Sequence, residues 1–133
     1  MYYFATPHVN TNVKENTLDF EKLSRNEKLC SKLEEAGIKV FLPYRDADQN
    51  LVGKDLLEKE LEVIKNCDGM IVALSNTRGI YMESGYAKAL GKRIIGLKVE
   101  ETRDFSDWGK AFFDYIAEDT DSLLKYFKEN QSK

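Results

Sequence analysis

Residues 69–97 read GMIVALSNTRGIYMESGYAKALGKRIIGL. The first six, GMIVAL, are almost wholly apolar and too few for a helix, as a central strand covered on both faces must be. SNTRGI follows as a polar turn. A helix is expected from about Tyr81 to Leu90, with Gly91 as its C′ residue, and residues 93–99 supply the next buried strand. Strand, turn, helix and strand in under thirty residues make a parallel unit with a right-handed crossover. Its helix carries an acid, Glu83, in its first turns, just past the carboxyl edge of a strand.

The flanking sequence repeats the unit. Residues 1–6, MYYFAT, form an aromatic-rich first strand ended by Pro7, and the polar residues 7–15 leave its carboxyl end as a loop. Asn16 or Thr17 is placed to cap a helix from Leu18 to Ala36, in which Phe20, Leu23, Cys30 and Leu33 recur at near-helical spacing. Gly37 stops it, and residues 38–42 (IKVFL) form a second strand. A polar loop at 43–53 (PYRDADQNLVG) precedes a helix over 55–66, with Leu57, Leu61 and Ile64 on one face. Beyond the opening stretch, residues 100–110 are charged and irregular and include the one Trp108, which is assigned to packing. Residues 111–116 are expected as an edge strand. Acids at 119–121 start a last helix bearing Leu123, Leu124 and Phe127.

Alternating strands and helices predict a single α/β domain over 1–133, a Rossmann-like or flavodoxin-like parallel sheet of about five strands with helices on both faces. Ligands of such sheets bind beyond the carboxyl ends of the strands, which selects the loops at 7–15, 43–53 and 75–80.

Composition excludes several classes. The chain has 133 residues, 42% hydrophobic and 32% charged, which argues against disorder, and its net charge of −3 argues against a nucleic-acid polymer as partner. The basic pair Lys92-Arg93 flanks a strand. Cys30 and Cys67 have no metal-ligand spacing and fall on apolar helix sides, so buried reduced thiols are expected. A lone His8 makes neither a zinc site nor a Ser-His-Asp triad. No run approaches the ~20 apolar residues of a membrane span, and MYYFATPH does not read as a signal peptide, so a cytoplasmic protein is expected. GxGxxG, GxxxxGK[ST] and GxSxG are all absent, and no cofactor or metal is expected.

Carboxylates and tyrosines near the ligand edge remain. On position, the helix N-terminus favours the ionised form of Glu83, as a nucleophile, a charge stabiliser or simply a dipole-complementing acid. Ser75, Thr77, Arg78 and Gly79 precede the same helix and form either an anion-holding turn or a solvated one.

The run ESGYAKALGKRIIGL, preceded by KNCDGMIVAL, resembles the nucleoside 2-deoxyribosyltransferase superfamily, which includes the 2′-deoxynucleoside 5′-phosphate N-hydrolases. The resemblance extends from residue 1 to about 97 and is strongest from Glu60 onward. It implies that Glu83 is the nucleophile that attacks the anomeric carbon, that Glu60 stands where relatives have an aspartate that protonates the leaving base, and that Tyr3 orients the nucleophile. Thr77, Arg78 and Gly79 replace the acid-containing turn of the transferases and look phosphate-facing, while Thr6-Pro7-His8 replaces a glycine-serine loop, with His8 a candidate contact. Arg45 and Asp46 of PYRDAD match a loop that meets the base or sugar. The implied ligand is a nucleoside or nucleotide, and the implied assembly is a homo-oligomer. Against this stand a nucleotide-binding or sensing module without turnover, and a glycohydrolase for another nucleotide such as NAD.

Overall fold

The computed structural model describes residues 1–7, 9–10 and 17–130, with backbone alone for 9–10 and 17–18. In chain order the elements are β1 (Tyr2–Ala5), β2 (Val9–Asn10), β3 (Thr17–Leu18), α1 (Phe20–Glu35), β4 (Val40–Phe41), α2 (Pro43–Asp46) and α3 (Gly53–Asn66). They continue with β5 (Gly69–Leu74), α4 (Arg78–Ala89), β6 (Arg93–Lys98), α5 (Asp107–Ala111), β7 (Tyr115–Ala117) and α6 (Thr120–Asn130). Five strands form one parallel sheet in the order β4-β1-β5-β6-β7, and β2 pairs antiparallel with β3. This is the 2-1-3-4-5 order of flavodoxin-like folds, with the reversal of strand order between β1 and β5.

Alternation along the strands divides the core in two. Phe4, Ile71, Ala73, Ile95 and Leu97 face α1 and α6, where Cys30, Leu33, Leu123 and Phe127 cover them. Tyr3, Ala5, Met70, Val72, Leu74 and Ile94 face the other way, under Ile64 of α3 and Ile80 and Ala87 of α4. Every residue of β5 is buried, which explains its unbroken apolar run. Gly37 and Gly91 take φ of 87° and 75°, the left-handed conformation of a C′ residue. Both cysteines are free and buried.

Several boundaries differ from the sequence reading. α1 begins at Phe20, because the Asp19 carboxylate caps it, accepting from the N–H groups of Glu21 and Lys22 at 3.1 Å each. Asn16 lies outside the described residues, and Thr17 belongs to β3. Phe20, one turn ahead of the first buried α1 residue, is 74% exposed rather than packed. Residues 43–46 form a helical turn where a loop is expected, with Pro43 at the position that needs no N–H donor. Leu57 is 54% exposed; it lies two turns, ~10 Å, ahead of Ile64, the buried residue of α3. α4 starts at Arg78, not Tyr81. Residues 107–111 are helical because Ser106 caps them, accepting from the Gly109 N–H, and this displaces the edge strand to 115–117. Trp108, on that helix, is 82% exposed. Phe105 packs there instead, against Tyr81 and Phe113 at 6.4 and 5.8 Å between ring centroids. Among the described residues, no helix is long and apolar enough to cross a membrane.

Candidate active site

Tyr3 is the meeting point. The alternation that sends Phe4 toward α1 sends Tyr3 toward α3 and α4, on the strand beside the reversal of strand order. Parallel register sets it beside Phe41 of β4 and Met70 of β5. Its ring stacks on Phe41, with centroids 5.6 Å apart and planes 20° from parallel. The ring is fully buried, and its hydroxyl contacts Glu60 Oε2 at 2.6 Å and also Glu83 Oε2. Residues separated by 57 and 80 positions in sequence thus converge on one phenolic oxygen.

Each helix delivers its acid by its apolar stripe. On α4, Glu83 follows Ile80 by three residues and precedes Ala87 by four, so it shares the face that these buried residues turn to the sheet. On α3, Glu60 lies one turn ahead of buried Ile64 on the inward side. Neither position is accounted for by solvation of a surface helix.

The environment of Glu83 differs from the sequence reading. With α4 starting at Arg78, Glu83 stands in the second turn, and no acid occupies the first. The helix N-terminus therefore does not hold it ionised, since that influence fades beyond the first turn. Burial pushes its carboxyl up to about 8, the hydrogen bond from Tyr3 opposes this, and the neighbouring Glu60 adds to it. Burial and the two carboxylates drive the Tyr3 phenol far above its ordinary range, so it stays protonated.

The turn ahead of α4 assembles as expected in place, though not as a turn throughout. Ser75 is buried and its hydroxyl donates to Thr77 Oγ1 at 3.2 Å. Thr77 is the N-cap residue, yet its side chain makes no capping bond, so the first amides of α4 have no side-chain acceptor there. Arg78 and Gly79 are the exposed first two residues of the helix.

Arg45 and Asp46 are not brought to this centre. Arg45 pairs with Glu34 of α1 at 2.8 Å and with Asp46 at 2.7 Å, and Asp46 Oδ2 accepts from the Leu42 N–H at 2.8 Å. These bonds fasten α2 to α1 and to the end of β4, a structural task that uses both side chains. His8 lies outside the described residues. Phe41 is the residue that sequence reasoning missed; the signal was an aromatic in the second strand, readable only once its register with Tyr3 is known. Among the described residues, no group of three or more His, Cys, Asp or Glu side chains is arranged to hold a metal ion.

The family model for nucleoside 2-deoxyribosyltransferase matches residues 3–125, a span that includes Tyr3, Glu60 and Glu83. Among solved structures, the 2-deoxyribosyltransferase of Bacillus psychrosaccharolyticus is similar, with a TM-score of 0.73 and 20% identity over 94% of this chain and 90% of that one. The CMP N-glycosidase BcmB of Clostridium botulinum has a TM-score of 0.61 and 21% identity, over 96% and 99% of the two chains. A conserved protein from Enterococcus faecalis V583 has a TM-score of 0.76 and 16% identity, over 96% of each chain. At these identities the likeness to solved structures is one of fold. No curated sequence matches the chain.

Proposed function

The chain belongs to the nucleoside 2-deoxyribosyltransferase family, and from that premise we propose that it cleaves the N-glycosidic bond of a nucleoside or nucleoside 5′-monophosphate through a covalent intermediate on Glu83. The observation that carries this reading is the Tyr3 hydroxyl held between Glu60 and Glu83. Two carboxyl groups bonded to one oxygen have their contacting oxygens within ~5–6 Å of each other, two hydrogen-bond lengths at most. Direct attack by water needs ~6.5–9.5 Å to admit the water between the carboxyls, which this pair does not offer, and that favours double displacement.

In the first step, a Glu83 carboxylate oxygen attacks C1′ as the bond from C1′ to the base nitrogen breaks. Glu60 gives its proton to the departing base, a contribution typically worth ~10²–10⁴-fold in rate. Tyr3 donates to the Glu83 carboxylate and fixes its aim. In the second step water attacks C1′ of the glycosyl ester, Glu60 takes the water's proton, and Glu83 leaves as a carboxylate. A second base in place of water makes the same cycle a transfer.

The start of α4 supports a phosphorylated substrate. Its amides lack a side-chain cap, no acid lies in its first turn, and Arg78 is exposed beside them, a combination that suits an anion. Incubation with a panel of deoxynucleosides and their 5′-monophosphates, with free base read by chromatography, tests the reading. Base release that Glu83→Ala abolishes is the expected result. Release unaffected by that substitution would sink the mechanism, and ligand-induced thermal stabilisation without any release would favour a binding module.

A further inference from the structure

We propose that Tyr3 is a proton relay, and that one concerted transfer through its hydroxyl both charges the nucleophile Glu83 and loads the acid Glu60. This rests on the roles assigned to those two residues above. The phenol has one hydrogen and contacts a carboxyl oxygen on each side. With both glutamates ionised, one of the two contacts would contain no hydrogen and would set lone pairs against lone pairs. Both are hydrogen bonds only when one carboxyl keeps its proton and donates it to the phenol oxygen, while the phenol donates its own to the other carboxylate. The three groups together therefore hold two protons and one negative charge.

Glu60 and Glu83 also lie within hydrogen-bond reach of each other, so the proton has a direct path beside the one through Tyr3; two arrangements give both phenol contacts a hydrogen. In one, Glu83 is neutral and donates to Tyr3, and Tyr3 donates to the Glu60 carboxylate. Burial of Glu83 favours this arrangement in the empty site. It is inert, because the nucleophile is protonated and the acid has no proton to give. In the other, Tyr3 donates to a Glu83 carboxylate and Glu60 is the proton-bearing acid. The interconversion balances without an outside donor. The Glu83 O–H bond breaks as its proton bonds to the Tyr3 oxygen, and the Tyr3 O–H bond breaks as its proton bonds to Glu60. Positive charge developing at C1′ beside Glu83 favours the second arrangement. The substrate itself thus arms both groups at once. A nucleophile without its acid, or an acid without its nucleophile, does not arise. Phe41, stacked on the ring, keeps the hydroxyl in line between the two carboxyls.

An orienting residue and a relay are separated by the leaving group. An ordinary purine must be protonated as it departs, whereas a 7-methylated purine leaves neutral without receiving a proton. Because the relay charges Glu83 as well as loading Glu60, Tyr3→Phe and Glu60→Gln are both expected to lower kcat by ~10²-fold or more on the ordinary purine deoxynucleotide and on its 7-methyl counterpart alike. Glu60→Gln that spares the 7-methyl substrate would overturn the relay, because Glu83 would then be charged without handing its proton to Glu60, and so would Tyr3→Phe that keeps its turnover, because the proton would then pass directly between the carboxyls. Wild-type protein that releases neither base would refute the glycosidase reading itself. If Tyr3→Phe does not melt as a folded protein, wild-type rates in mixtures of light and heavy water decide the matter. A curved dependence from two protons in flight is expected, and a linear one-proton dependence overturns the relay.

Discussion

Glu83→Gln should make the protein more stable in base while abolishing turnover. The carboxyl of Glu83 moves from an ordinary 4.5 in the open chain to about 8 when folded, chiefly through burial. Between those two pH values the folded protein binds more protons than the unfolded chain, so stability falls as pH rises, and the loss is complete above 8. At ~1.4 kcal/mol per unit, a fully enclosed site would lose about 5 kcal/mol. Glu83 lies at a partly open rim, where water relieves some of that cost, and about 3 kcal/mol is a fitting expectation. Glutamine keeps the shape, has no charge to bury, and can still accept from Tyr3 and donate to Glu60. Carboxyls away from the triad are the same in both proteins and cancel in the difference. For a chain of this length 1 kcal/mol shifts the melting temperature by ~3–4 °C. At pH 9 the variant should melt ~10 °C above wild type; at pH 4, below both values of the carboxyl, the two should nearly coincide. Thermal unfolding followed by circular dichroism at both pH values measures this directly. Equal melting temperatures at pH 9, or a more stable wild type there, would refute the claim that Glu83 is held in a desolvated pair.

Three other substitutions probe separate parts of the account. Gly69→Ala would place a Cβ 2.6 Å from the Arg93 carbonyl oxygen and 2.7 Å from Tyr2 Cε2; a loss of ~1–3 kcal/mol in urea unfolding is expected, since backbone cannot yield as a flexible side chain can. Arg45→Ala should cost ~1 kcal/mol of stability through the lost Glu34 and Asp46 contacts, yet leave kcat for base release within twofold. A large activity loss at normal stability would return Arg45 to the site. Arg78→Ala should raise KM for a nucleoside 5′-monophosphate by ~10-fold and leave the corresponding nucleoside unchanged, as measured by initial rates.

The parts of the fold that sequence made legible are those fixed by local pattern. A strand that must be apolar on both faces, as β5 is, announces itself, and with it the turn and helix that follow. Tyr3, Glu60 and Glu83 were each singled out from sequence, and the structure brings them together at one hydroxyl. The ionisation of Glu83 was not legible, because its position on α4 suggested a helix-dipole acid while its surroundings come from α3 and β1. Arg45 and Asp46 lie in the segment that the strand-edge rule selects, but it folds as α2 and their charges are taken up by each other and by a glutamate of another helix. Phe20 and Leu57 follow the same lesson in reverse. Apolar spacing identifies a helix face, but cannot say whether another element covers each residue of it.

The central claim is that Glu83 bonds to the sugar. A 2-fluorinated deoxynucleotide analogue slows the second displacement and lets the intermediate accumulate, because fluorine disfavours positive charge at C1′. Intact-mass measurement after an acid quench, followed by peptide mapping, reads the result. One added glycosyl group per chain is expected, carried by the peptide at Glu83 and absent from Glu83→Gln. Base release without any adduct, or an adduct on another residue, would contradict it.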